Sequence, residues 1–263
     1  MGSHPRASVR TGGLGQEGAR PASGAGKLTS LRAAPQPAHP KLEPLGEFGY
    51  LVRWSDEEID PLLVAEVQGL AATLTSLPGL LDTVPAYASL GLVFDPVVLM
   101  ERRAEILSLL QGAIAARHRA EQSSHRISNS QAAIEIPVRY GARFGADFTA
   151  LCQRVGMSDQ ELIAAHSAPL YTVAMLGFAP GFPYLIGLDD RLHCPRHATP
   201  RRQVAAGSVG IAGSQTGIYP IAGPGGWQLI GRTEAALFDP YANPPTLLQP
   251  GQRVRFVAVA DGK

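Results

Sequence analysis

Apolar and polar positions along the chain fall into two regimes, helical in places and strand-like in others. From Asp56 to Ser76, Ile59, Leu62, Leu63, Val67, Leu70 and Leu74 recur near the 3.6-residue period with polar residues between them, which predicts an amphipathic helix. Pro96 to Ala116 repeats the pattern. Val97, Met100, Ile106, Leu109 and Leu110 form the apolar stripe, and Glu101, Arg102, Arg103 and Glu105 point away from it. Leu45 to Trp54 reads as one strand, and Leu80 to Phe94 as a pair of short strands with Pro85 at an edge or bend. The resulting order, β-α-β-β-α, predicts a small α+β domain over residues 42–116, ferredoxin-like, with helices on one face of an antiparallel sheet.

Arg117 to Ala132 is polar and aperiodic and reads as a linker, residues 117–132. A strand follows at Ile134 to Tyr140, then two helical stretches, Asp147 to Arg154 and Ser158 to His166. Ser158 and Glu161 have the spacing of a capping box, and Ser167-Ala-Pro169 ends the run. Beyond Tyr171 the pattern is all β. Short apolar runs at Tyr171–Leu176, Ser208–Ile211, Ile218–Ile221, Trp227–Ile230 and Arg253–Val259 alternate with turns such as Pro250-Gly251. Many short strands at this spacing predict a barrel or sandwich over residues 133–263. Residues 1–41, rich in Gly, Ala, Ser, Pro and Arg, hold almost no large apolar residue and are expected to be a disordered tail.

The formal net charge of +1 over 263 residues gives no electrostatic footprint for nucleic acid or an anionic membrane. No apolar stretch approaches the ~20 residues of a membrane span, and the N-terminus lacks the apolar core of a secretory signal. The only cysteines, Cys152 and Cys194, do not make a disulfide framework; reduced thiols in the cytoplasm are expected. Lysine occurs only at Lys27, Lys41 and Lys263. The folded segments therefore offer no interior lysine for a Schiff base or a biotin, and an anion site must use Arg or backbone N–H groups.

Several motifs are weaker than they look. Gly24-Ala-Gly26-Lys27 fails the phosphate-loop pattern, because Leu28 stands where a hydroxyl must meet magnesium. Gly207 to Gly213 is not followed by a helix, so it is no dinucleotide loop. Cys152 to Ala165 has helix-turn-helix spacing, but Asp159 and Glu161 would repel phosphates; a helical insertion packed on a barrel is the better reading. His193-Cys194-x-x-His197 supplies too few ligands for zinc, and no metal is expected. Ser208 and His166 are a candidate nucleophile and base, or else a turn hydrogen bond and a cap on a helix C-terminus.

Gly177-Phe-Ala-Pro-Gly-Phe-Pro-Tyr184 is more specific. Pro fixes φ and Gly permits positive φ, so this loop is stiff and unusual in path. Phe178, Phe182 and Tyr184 would wall an apolar cleft. Gln215, Thr216, Tyr219 and Gln228 offer neutral donors and acceptors suited to a small amide or imide, and Arg201, Arg202 and Arg232 suit a carboxylate or phosphate. On residue chemistry alone, a ligand pocket and a structural hairpin loop both remain open.

Several segments together resemble one family. They are His166-Ser-Ala-Pro169, Met175 to Tyr184, Ala198-Thr-Pro-Arg201, Ala206 to Gly213, Gln215 to Pro220, Gly225-Gly-Trp-Gln228, Ile230-Gly-Arg-Thr233 and Leu248-Gln-Pro-Gly251, with a weaker echo in Leu45 to Trp54 and Val84 to Leu90. Ala179, where the family often has Leu, and Arg202 are small departures. The chain is thereby similar to the KipI-like family, which includes the B-type subunits of bacterial 5-oxoprolinase and is also called allophanate hydrolase subunit 1. The resemblance implies a cyclophilin-like barrel for the second domain. It implies a role beside A-like and C-like subunits in an ATP-dependent opening of 5-oxo-L-proline to glutamate, with ATP and Mg shared among subunits and no biotin on this chain. Because no complete nucleophile or nucleotide motif is present, no activity is expected of the chain alone. Arg201 and Arg232 would then be anion ligands, Gln215, Tyr219 and Gln228 polar contacts, and Phe178, Phe182 and Tyr184 the wall. Arg201, Ser208, Gln215, Tyr219 and His166 remain the candidates for catalysis, with no role fixed. Two other roles stay open within the resemblance: the carboxyltransferase half of a urea carboxylase-type system, which needs a biotinyl partner, and a sensor histidine kinase inhibitor.

Overall fold

The computed structural model describes residues 40–54, 59–123 and 132–260. The expected tail lies outside the described residues except at its end, where Lys41 opens the first strand. The first half comprises β1 (Lys41–Pro44), β2 (Gly49–Arg53), α1 (Pro61–Thr73), β3 (Leu80–Pro85), β4 (Ser89–Phe94) and α2 (Pro96–Ser123). The strands form one antiparallel sheet in the order β1-β2-β4-β3. The single strand expected from Leu45 to Trp54 is thus a hairpin with one strand more. Gly46, at φ +63°, turns the chain, and Pro44 pairs with Tyr50. β1 lies on the sheet edge with no buried residue, so it carries no apolar alternation to betray it.

Asp60 and Pro61 explain why α1 starts later than the Asp56 expected. The Asp60 carboxylate accepts from the Leu62 N–H at 2.8 Å, and proline suits the first helical position. Asp95 accepts from Val97 and Val98 N–H and opens α2 in the same way. Tyr50, Val52, Leu90, Leu92 and Phe94 of the sheet pack on Val67, Leu70 and Leu74 and on Leu99, Ile106 and Leu110. The apolar stripe expected on α2 is corrected here. Val97, Met100 and Leu109 are exposed; the buried stripe is Leu99, Ile106 and Leu110, spaced by seven and four residues, and at about 100° per residue Val97 and Met100 fall away from the face of Ile106 and Leu110. The helix also runs on to Ser123, past the end expected at Ala116.

The second half holds β5 (Ile134–Tyr140), α3 (Phe148–Val155), α4 (Asp159–Ser167), β6 (Tyr171–Leu176), β7 (Pro183–Ile186), β8 (Arg201–Val204), β9 (Ser208–Ala212), β10 (Gln215–Ile218), β11 (Gly223–Gly225), β12 (Gln228–Arg232) and β13 (Arg253–Ala258). Seven of these strands close a barrel in the order β10-β7-β6-β13-β5-β12-β9, and β8 pairs with β11 in a small ribbon beside it. Strand alternation sorts the side chains. Val209, Ile211 and Ile218 join the barrel core, whereas Ala212 and Tyr219 join a second apolar cluster outside it. α3 and α4 add Phe148, Leu151 and Leu162 to the core and pack on β12 and β13. They are therefore a structural insertion rather than a groove-reading pair. The Ser158–Glu161 capping box is formed in both directions.

The two halves are tied directly. Gln68 of α1 donates to the Val173 and Ala174 carbonyls at 3.0 and 3.1 Å, and Val64 packs with Ala174 and Ile186. Among the described residues no helix is long and apolar enough to cross a membrane.

Candidate functional site

An aromatic cluster lies on the outer face of the barrel where β7, the turn after β10 and the start of β12 meet. Phe182 is at its centre, with ring centroids 4.9 Å from Tyr184, 5.2 Å from Tyr219 and 5.4 Å from both Trp227 and Phe178. Most contacts are edge-on or tilted, the geometry that the ring quadrupoles favour. Phe178 differs from the rest. It is 62% exposed and has φ +66°, and the Ala179 N–H reaches the Gly177 carbonyl at 2.7 Å across it. That is a tight three-residue turn around a left-handed phenylalanine, a conformation that costs free energy and concentrates at binding sites. The wall expected from the Gly-Phe-x-Pro-Gly-Phe-Pro-Tyr run is thus assembled. Trp227 and Tyr87 extend it, the latter edge-on to Tyr184 at 5.9 Å.

The polar candidates separate into different places. Tyr219 is buried in the cluster, and burial pushes its hydroxyl pKa up, as it does for Tyr184; Tyr87 is pushed up to about 12 by the same cause. These phenols stay protonated donors. Gln215 faces the cluster side of β10, but its carboxamide is bonded to the Tyr87 hydroxyl at 2.8 Å, joining the two halves of the chain. Gln228 donates to the Pro195 carbonyl at 2.9 Å and anchors the segment that precedes β8. Both amides hold the scaffold together.

Arg201 is pinned by a residue that the sequence pattern did not single out. Asp147, 5% exposed at the start of α3, accepts from Arg201 Nη2 at 2.5 Å and from the Leu229 N–H at 2.7 Å, and His197 Nε2 lies 3.2 Å away. Burial pushes the Asp147 pKa up, but the Arg201 and Leu229 donors, with His197 close by, outweigh it and hold the carboxyl below its usual range. The Arg201 charge is therefore matched within the fold, while its Nη1 is buried without a hydrogen-bond partner among the described residues. Arg201 pairs with Gly225 across the β8–β11 ribbon, and the Gly225 backbone lies against the Tyr219 ring, which places the arginine beside the cluster.

Arg232 is elsewhere. It lines a groove of about 490 Å³ with Arg139, Phe144, Gly207, Pro220 and Glu234, and its Nε donates to the Ala206 carbonyl. None of the aromatic wall residues borders that groove. Arg202 lies exposed on β8.

The pairing of Ser208 with His166 is not formed. His166 Nδ1 is 2.8 Å from the Tyr140 hydroxyl and Nε2 is 2.9 Å from Thr216 Oγ1, which itself donates to the Gly210 carbonyl. The chain of donors fixes the imidazole as the Nε2–H tautomer, accepting from Tyr140 at Nδ1. Burial pushes the His166 pKa down to about 3, so it is a neutral interior residue rather than a charged helix cap. Thr216 alternates with Gln215 and belongs to the barrel interior with His166, while Ser208 alternates with the core residue Val209 and faces outward. The barrel wall separates the two. His193 and His197 also diverge, toward Asp190 and Asp147. Burial pushes the Cys194 thiol up to about 11, which makes it unreactive.

Residues 40–248 match the family described as carboxyltransferase domain, subdomain C and D. A Bacillus subtilis protein, named as the B-type subunit of 5-oxoprolinase, is 39% identical over 225 residues, which is 84% of this chain and 93% of that one. An Escherichia coli O157:H7 protein of the same name is 42% identical over 193 residues, 73% of this chain and 84% of that one. The crystal structure of a protein called TTHA0988 superposes with a TM-score of 0.69 at 39% identity; it covers 81% of this chain, which spans only 41% of that longer one.

Proposed function

The chain belongs to the carboxyltransferase family, subdomain C and D, and from that premise we propose that it serves as the B-type subunit of an ATP-dependent 5-oxoprolinase. Its partners are A-like and C-like subunits, its small-molecule substrate is 5-oxo-L-proline and its compartment is the cytoplasm. We further read the barrel as cyclophilin-like and the first half as ferredoxin-like with β1 added at the edge. The observation that carries the functional reading is the likeness to a B-type 5-oxoprolinase subunit across nearly that protein's whole length.

The chemistry fits what these residues can do. A lactam is a poor electrophile. Transfer of the γ-phosphoryl group of ATP to the lactam oxygen releases ADP and activates the ring carbon. Water then adds there, the ring C–N bond breaks, and phosphate leaves as the chain opens to glutamate. The aromatic cluster suits the apolar flank of a small ring, and the partly exposed Arg201 side chain beside it has more N–H groups than Asp147 engages. For ATP and Mg the chain supplies little. Its barrel half has no lysine within the described residues, and no three acidic, histidine or cysteine side chains among those residues converge to hold a metal. ATP is therefore assigned to a site shared with the partner subunits, and the chain alone is inactive.

The reading is tested in lysate from the native host with this gene deleted. ATP-dependent glutamate release from 5-oxoproline is followed with and without the purified chain. Activity that disappears on deletion and returns with the chain supports the assignment; activity that survives the deletion removes it.

A further inference from the structure

The arginines expected to bind an anion are poorly placed for it. Asp147 neutralises Arg201, and Arg232 lies in a groove that the aromatic wall does not border. An arginine outside that set has the better surroundings. Arg196 is exposed, lies 5.8 Å from the Trp227 ring centroid and has no ion-pair partner among the described residues. Its charge is close enough to bear on the hydroxyls of Tyr87, Tyr184 and Tyr219 together. Its backbone is anchored on both sides, since the Pro195 carbonyl accepts from Gln228 and the His197 N–H donates to the Gly226 carbonyl at 2.7 Å. A guanidinium resting on an indole face keeps its in-plane N–H groups free, and those N–H groups match the two oxygens of a carboxylate.

We infer that Arg196 reads the carboxylate of the substrate, while Arg201, its charge already matched by Asp147, serves a neutral carbonyl oxygen. The inference rests on the 5-oxoprolinase reading and goes beyond it by dividing the two oxygen functions of the substrate between two arginines. Electrostatics favour this division. A carboxylate brought to Arg201 meets the buried Asp147 charge just behind it, and that repulsion offsets the attraction; a carbonyl carries no net charge and keeps the hydrogen bond. Arg196 has no such counter-charge among the described residues.

The test uses the complex reconstituted with its A-like and C-like subunits, with 5-oxoproline as the probe. Loss of a charged hydrogen bond to substrate predicts that Arg196→Gln raises KM roughly ten- to hundredfold with kcat little changed, and that Arg196→Lys recovers part of the loss. Arg201→Gln is predicted to lower kcat as well, because its oxygen is the one at the reacting carbon. Because Arg196 is exposed, the urea midpoint of Arg196→Gln should equal that of the parent. An unchanged KM in Arg196→Gln, a fall in kcat alone, or a pure KM effect that appears in Arg201→Gln instead would each overturn the assignment. A parent complex that turns over 5-oxoproline but shows one of these patterns sinks this inference alone. A parent complex with no turnover sinks the functional reading and this inference with it.

Discussion

His166 makes the barrel pH-sensitive in a way that can be calculated. In the fold its pKa is pushed down to about 3 by burial, against 6.5 for an ordinary histidine. The unfolded chain therefore binds a proton below pH 6.5 that the folded chain refuses until near pH 3. The stability His166 contributes is complete well above pH 6.5 and is lost as pH falls through that window. Between pH 7 and pH 5 the loss is about 2 kcal/mol, from the rise in protonation of the unfolded histidine alone. Other carboxyl groups titrate too, so the measurement is a difference between the parent and His166→Gln. Glutamine keeps a donor for Thr216 and an acceptor for Tyr140 but has no proton to gain. The tryptophans are Trp54 in the first half and Trp227 in the barrel, so a Trp54→Phe background leaves Trp227 fluorescence as a barrel-specific signal in urea titrations. The advantage of the parent over His166→Gln should shrink by about 2 kcal/mol on going from pH 7 to pH 5, a relative midpoint shift of roughly 1 M urea. Parallel pH profiles for the two proteins would refute the buried, neutral histidine.

Other perturbations follow from particular contacts. Phe178 is left-handed, so Phe178→Gly should be more stable than Phe178→Ala by ~1 kcal/mol, the reverse of the usual order, with both showing reduced turnover in the complex; thermal melting and the glutamate assay check the two parts. Gly207 has φ +79° and a Cβ there would meet the Thr233 carbonyl oxygen, so Gly207→Ala should cost about 3 kcal/mol or more in urea unfolding. Asp147→Ala leaves the Arg201 guanidinium and the Leu229 N–H without their acceptor, and should cost about 3 kcal/mol. The Asp147 share of stability is present at neutral pH and is lost as pH falls through the lowered carboxyl pKa, so the gap between the parent and this variant should narrow in acid.

What the sequence discloses depends on how local each feature is. The capping box at Ser158 and Glu161, the helix around Val67 and Leu70 and the aromatic loop from Gly177 to Tyr184 are written in consecutive residues, and they are present in the structure. β1 is not legible because an edge strand with no buried face leaves no period-two signal. The stripe on α2 is misplaced because Val97 and Met100 are apolar but exposed, whereas Leu99 is the residue in helical phase with Ile106 and Leu110. The site is legible only in part. Phe178, Phe182 and Tyr184 are neighbours in sequence, whereas Tyr87, Asp147, Arg196 and Trp227 arrive from four distant segments through sheet closure and the β8–β11 ribbon. One signal is there in the chain: Arg196 falls in a Pro-Arg-His-Ala-Thr-Pro-Arg segment whose first arginine is as conspicuous as its second, Arg201. Which of two arginines is neutralised is a three-dimensional fact, decided here by a carboxylate 54 residues away.

Reconstitution from purified parts asks whether this chain completes a 5-oxoprolinase. Glutamate and ADP are quantified from 5-oxoproline and ATP with the A-like and C-like subunits, with and without this chain. No glutamate is expected from any incomplete set, and coupled release of glutamate and ADP is expected when the chain completes it. Equal glutamate formation with and without the chain, or none from the complete set, would contradict the assignment.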